Sequence, residues 1–141
     1  MKERFFQVGV KAFIKDSKGR VLLLKATPDR ADGRWPVHWD IPGGRITNQG
    51  ITETLKRELD EETGIKRFKV LGLRDAAISN YFKMHPRYGK PGLMLLIFDC
   101  EIPAGSRIKL SEEHDDYKWA TMKEAKKLLS FKYPKIFLDK L

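Results

Sequence analysis

The stretch Gly43–Ile65, GGRITNQGITETLKRELDEETGI, decides how the rest of the chain is read. From about Ile51 to Thr63 the pattern turns helical, and Gly64 stands where a C-terminal cap belongs. Just ahead of it, Ile41-Pro42-Gly43-Gly44 closes an irregular segment. Within the helix, Glu58, Asp60, Glu61 and Glu62 put four acids into five residues. The chain as a whole is basic, with 28 Lys+Arg against 19 Asp+Glu and a formal charge of +9. Like charge gathered in one place of such a chain calls for a reason.

At about 100° per residue, with Glu58 at zero, Glu61 falls near about −60° and Glu62 near about +40°, so three carboxylates share a face. Leu55 and Leu59 lie beside them on the side that seats against a core, while Glu53, Lys56 and Asp60 point the other way. The pairs Glu53–Arg57, Lys56–Asp60 and Arg57–Glu61 each contribute a few tenths of a kcal/mol. Glu58 with Glu61 and Glu58 with Glu62 oppose the helix by similar amounts, and the C-terminal end of the helix dipole disfavours acids further. A solvated charged face is the ordinary explanation. The preceding glycines favour another, because glycine lets backbone approach closely. A bare Gly43 carbonyl opposite three carboxylates makes an all-oxygen site suited to Mg²⁺ or Mn²⁺, ions that commonly bridge to substrate phosphates.

Working outward, 141 residues suit one domain spanning 1–141. Phe6–Ile14, the turn signal Asp16-Ser17-Lys18-Gly19 and Val21–Leu24 read as a hairpin. Val70–Ile78 and Leu93–Glu101 read as strands separated by a loop rich in Pro and Gly. Thr121–Leu129 reads as a helix with Thr121 as N-cap, and Pro134–Leu141 as a short third helix. Strands interleaved with helices indicate an α/β or α+β chain with a mixed sheet. Leu93–Phe98, the longest apolar run, is too short to span a bilayer, and MKERFFQVGV lacks a signal core. Cys100 reads as an inert strand residue, and the cytoplasm is the expected location. Net positive charge points to anionic partners, but the positives are scattered, so nucleic acid is not the expected partner. Phosphorylated metabolites stay among the candidates, and a homodimer is one candidate assembly.

The second half of the opening stretch, Arg57-Glu58-Leu59-Asp60-Glu61-Glu62-Thr63-Gly64-Ile65, resembles the Nudix box, G-x5-E-x7-R-E-U-x-E-E-x-G-U with U aliphatic. WDIPGGR precedes it as in that family, and the likeness extends to FQVGVKAFIKDSKGRVLLLK and SEEHDDYKWATMKEA. The first half departs: Gln49 stands where the family has its first Glu, and the Gly43-Gly44 pair is one residue closer to the helix than usual. The resemblance implies an α/β/α sandwich around a mixed β-sheet. It also implies a Mg²⁺-dependent hydrolase of a nucleoside diphosphate linked to another moiety, with Mn²⁺ as the alternative ion. By position, Glu61 and Glu62 would be metal ligands joined by the Gly43 carbonyl, and Glu58 a further ligand or the general base. Arg57 would orient the acids of the box, a pairing that Gln49 leaves one charge short.

Ser111–Trp119, SEEHDDYKW, reads as a polar run, ordinarily an exposed loop before a strand, ending in a Trp packed under the following helix. In the family such a loop supplies a late metal ligand or base, for which Glu113 is the first candidate and His114 the second. EHDDYKW also resembles the corresponding loop of GDP-mannose mannosyl hydrolases, which attack the sugar carbon with a His as base. A non-catalytic nucleotide-binding module on the same scaffold is the rival outside enzymes. Tyr81, sixteen residues beyond Ile65, resembles a Tyr of the diadenosine-polyphosphate branch. Trp35, Phe82 and Tyr88 are candidates to stack on a base. Arg45, Lys83, Arg87 and Lys90 are candidates for binding phosphate. His38 and His85 show no partner in the sequence.

Overall fold

The computed structural model describes residues 3–27, 36–81 and 85–141. In chain order these form β1 (Phe6–Ile14), β2 (Val21–Ala26), β3 (His38–Asp40), β4 (Gly43–Arg45), α1 (Ile51–Thr63), β5 (Lys69–Ile78), β6 (Gly92–Glu101), β7 (His114–Ala120), α2 (Met122–Leu128) and α3 (Lys135–Leu138). One sheet has the order β4-β1-β6-β5 and is mixed, because β1 runs parallel to β6 and antiparallel to β4. The other, β3-β2-β7, is antiparallel throughout.

The expected hairpin is not formed. Its turn is present: Asp16 Oδ1 accepts the N–H groups of Lys18 and Arg20, each at 2.9 Å, and Gly19 supplies a φ of 76°. Yet β1 and β2 enter different sheets, joined at the single bridge Lys15–Val21. Both edges of β1 are already occupied, by β6 along its whole length and by β4 at Gly9–Lys11, so β2 turns away.

Strands β1 and β2 serve two cores, which explains their loose alternation. Val10, Ala12, Ile14, Leu22 and Leu24 pack with Leu55 and Leu59 of α1. Phe13, Val21 and Leu23 pack on the opposite side with Ala125, Leu129, Tyr133 and Phe137 from the region of α2 and α3. Helix, sheets and helices are therefore layered as an α/β/α sandwich.

Helix α1 has the bounds its sequence predicts, and Leu55 and Leu59 are fully buried. It ends on Gly64, at φ 73°, whose N–H donates to the Asp60 carbonyl. Thr121 caps α2 through a reciprocal pair with Glu124: Thr121 Oγ1 accepts the Glu124 N–H at 3.2 Å, and Glu124 Oε1 accepts the Thr121 N–H at 3.3 Å. Two readings are corrected. His114–Ala120 is a strand paired with β2, so the polar run is not a loop along its length. Trp119 packs on the α1-side core, not under α2. Cys100 is buried as expected, its thiol pushed up to about 12 by burial and the Asp99 charge. No helix of the described residues is long and apolar enough to cross a membrane.

Candidate active site

The two glycines of β4 build the wall on which the carboxylates sit. A Cβ at Gly43, whose φ is 146°, would lie 2.0 Å from the Val10 carbonyl oxygen, and one at Gly44 would lie 2.3 Å from Glu58 Oε1. Gly43 thus lets β4 close on β1, and Gly44 lets the Glu58 carboxylate rest on bare backbone. One turn further along α1, Glu62 points inward. Its Oε1 accepts the Gly43 N–H at 2.7 Å, and its Oε2 lies 3.5 Å from His114 Nε2. Both side chains are more than nine-tenths buried.

Burial pushes Glu62 up to about 8, against the opposing pull of Lys11 and the Gly43 N–H. Burial also holds His114 down at about 4, aided by the Lys11 charge. His114 Nδ1 is buried and has no hydrogen-bond partner among the described residues. Glu113, exposed just before β7, is anchored through its carbonyl, which accepts the N–H and the hydroxyl of Thr27, each at 3.0 Å. One ligating atom from each of Glu62, Glu113 and His114 lies within 4.8 Å of the others.

The three-carboxylate face expected of α1 is therefore split. Glu62 is inside, Glu58 is raised by partial burial beside Gly44, and Glu61 stands at the rim with its side chain 58% exposed. Arg57 spans the rim: its Nη1 lies 3.1 Å from Glu58 Oε1 and 3.5 Å from Glu61 Oε2. Its Nε donates to Gln49 Oε1 at 2.8 Å, so the amide keeps the tether that a carboxylate would make, without the charge. Asp60 is exposed, as its place on the helix implies.

Beneath Glu62 lies a group that sequence reasoning missed. Asp40, in β3, accepts Lys11 Nζ at 2.9 Å and Lys132 Nζ at 2.6 Å on Oδ2, and the Tyr133 hydroxyl at 2.6 Å on Oδ1. Burial would raise Asp40, but the Lys11 and Lys132 ammoniums override it and hold the carboxyl well below the usual range. The signal was available in FQVGVKAFI, where a lysine interrupts a strand buried on both faces.

Tyr81 stacks on Phe131, with ring centroids 4.2 Å apart and planes 7° apart, and His38 lies 4.9 Å from Phe131. Tyr81 is half exposed. Arg45 is exposed on β4, and Arg87 lies over the Tyr88 ring at 5.4 Å. His85 is a turn residue, its Nδ1 accepting the N–H groups of Arg87 and Tyr88 at 3.0 and 3.2 Å. Trp35, Phe82 and Lys83 lie outside the described residues.

The NUDIX domain model matches residues 5–140. The chain belongs to the Nudix family. A nucleoside triphosphatase NudI of Klebsiella pneumoniae is 31% identical over 116 residues, covering 79% of each chain. A NudI of Escherichia coli is 32% identical over 106 residues, covering 72% of each. Among solved structures, the MutT protein of Methanosarcina mazei Go1 aligns with a TM-score of 0.74 at 25% identity, covering 99% of this chain and 92% of that one. An Ap4A hydrolase of C. elegans shares the fold, with a TM-score of 0.65 at 21% identity over 88% of this chain and 85% of that one. This Nudix protein is thus a hydrolase of nucleoside di- or triphosphate derivatives, a pyrophosphohydrolase in class. Nudix enzymes generally use a divalent metal. The donor set suits one: a buried carboxylate pushed up by burial, a second carboxylate and an imidazole nitrogen without a partner among the described residues.

Proposed function

We propose that the enzyme is a Mg²⁺-dependent hydrolase, accepting Mn²⁺, of a nucleoside diphosphate linked to another moiety. The observation that carries this reading is that Glu62, a metal ligand in it, meets two proton acceptors, Glu113 and His114, beside the Gly43 N–H. The NudI relatives are named nucleoside triphosphatases, and a triphosphate is a nucleoside diphosphate linked to phosphate, so it falls within the class.

In this reading Glu62 is the inner metal ligand, with Glu58, Glu61 and the Gly43 carbonyl completing the cradle. A divalent ion there would polarise the bridging phosphates and acidify a bound water. Glu113 takes the water proton, with His114, held neutral near pH 7, as the second acceptor. The water oxygen bonds to phosphorus, the P–O bridge breaks, and the departing phosphate carries the electron pair. Arg57 orients Glu58 and Glu61. Arg45, Arg87 and Lys83 bind phosphate, and Tyr81 takes the base. We assign residues 1–141 to one domain, working in the cytoplasm, with a homodimer as a candidate assembly.

Chromatography of about twenty nucleotides incubated with enzyme and Mg²⁺ or Mn²⁺ tests the assignment. Release of a nucleoside monophosphate, or of pyrophosphate or phosphate, is expected. No turnover of any of them would remove it. A second reading is favoured by the buried contact between His114 and Glu62: attack on the sugar carbon of a GDP-sugar with His114 as base. Reaction in ¹⁸O-water separates the two, since label on phosphate fits the first and label on the sugar the second.

A further inference from the structure

Lys132 reaches the candidate active site through a chain of short contacts without entering it. Its ammonium and that of Lys11 share Asp40 Oδ2. Asp40 Oδ1 accepts the N–H of Ile41 at 2.8 Å, and Lys11 Nζ donates to the Ile41 carbonyl at 3.3 Å, so the Ile41 peptides are held on both sides. The next residue, Pro42, gives its carbonyl to the Ala12 N–H at 2.8 Å. The one after, Gly43, donates its N–H to Glu62 Oε1. At its other end, the Lys132 carbonyl accepts the Asn80 N–H at 2.8 Å and Ser79 Oγ at 3.2 Å. Asn80 Nδ2 grips the same loop at the Tyr133 carbonyl, at 3.0 Å. Lys132 is 8% exposed, so this bridge lies inside the protein.

We propose that Lys132 is a positioning residue for hydrolysis: through Asp40 and the Ile41–Gly43 backbone it places the Gly43 N–H, and with it the Glu62 carboxylate, for metal binding. The inference rests on the proposed role of Glu62. It departs from a purely electrostatic reading by the sign of one effect. Deleting a buried cation near a metal site strengthens cation binding if charge alone matters. It weakens binding if the lysine holds the ligand in place, because a misplaced ligand costs affinity.

The test is Mn²⁺ binding by electron paramagnetic resonance on wild type, Lys132→Met, Tyr133→Phe and Leu129→Val. Tyr133→Phe removes one Asp40 contact and keeps every charge. Leu129→Val perturbs the same region without touching Asp40, and it serves as the stability control. Expected are a weakening of about fivefold or more for Lys132→Met and about two- to fourfold for Tyr133→Phe, with Leu129→Val within twofold of wild type despite a lower Tm. Unchanged or tighter binding in folded Lys132→Met overturns the proposal. If that variant does not fold, unchanged binding in Tyr133→Phe overturns it. The reading beneath it fails separately: Mn²⁺ binding that Glu62→Gln leaves intact removes Glu62 from the site, and this inference with it.

Discussion

Glu62 is where the chemistry of this protein is concentrated, because it is the acid of α1 that burial, a backbone N–H and an imidazole all meet. Glu62→Gln is expected to reduce turnover at least about a hundredfold, in line with loss of a metal ligand. Near-normal activity of that variant at saturating Mg²⁺ would falsify its role. A group held at about 8 without metal must release its proton to bind one. Mn²⁺ affinity is therefore expected to rise about tenfold per pH unit from pH 6.5 toward 8, and to level above it, measured by titration calorimetry in buffers of different ionisation heat. At Gly44 a methyl group would occupy the place of Glu58 Oε1. Gly44→Ala is expected to cut kcat at least about tenfold while leaving Tm within a few degrees, since the displaced carboxylate is close to solvent.

At the scale of elements, each helix carries its own start or stop signal, and each signal has a measurable worth. Thr121→Ala removes the reciprocal cap of α2 and is expected to cost ~1 kcal/mol in denaturant unfolding with activity unchanged. The strands behaved differently from the helices. The extent of α1 follows from local pattern and a glycine stop, whereas the partners of β1 and β2 do not. The turn Asp16–Gly19 looked the same as a hairpin turn, and its hydrogen bonds are those of one. Competition for the edges of β1 by β6 and β4, distant strands whose pairs include Phe6 with Gly92 and Lys11 with Gly43, sent β2 elsewhere. Strand β7 is hidden in the sequence because it is an edge strand, paired among the described residues with β2 alone, whose polar side chains are mostly exposed and show no apolar alternation.

For the whole molecule, pH should reveal the buried Glu62 carboxyl. A carboxyl whose folded pKa is raised from 4.5 to about 8 makes the native state hold a proton that the unfolded chain releases, so stability falls as pH rises between those values. His114, lowered to about 4, works in the opposite sense only below its unfolded value of 6.5. From about pH 7 to 7.5 the Glu62 effect dominates, since nearer 8 Lys132, lowered to about 8 by burial, begins to act in the opposite sense. The metal-free protein is expected to lose about 1 kcal/mol per pH unit there, read as a falling Tm, and Glu62→Gln should flatten the slope. The sequence by itself determined the Nudix box, the helix that bears it, its glycine wall and the inventory of acids, because these depend on residues within one or two helical turns. Tertiary structure alone decided which of those acids is buried. It also brought Lys11, Asp40, Lys132 and Tyr133, drawn from three distant parts of the chain, beneath Glu62. Helical periodicity orients a face but says nothing of what will cover it, and the covering segments here, β4 and β7, owe their places to long-range pairing. The charge gathered in GGRITNQGITETLKRELDEETGI was legible from the start; its division into one inner acid, one half-buried acid and one rim acid was not.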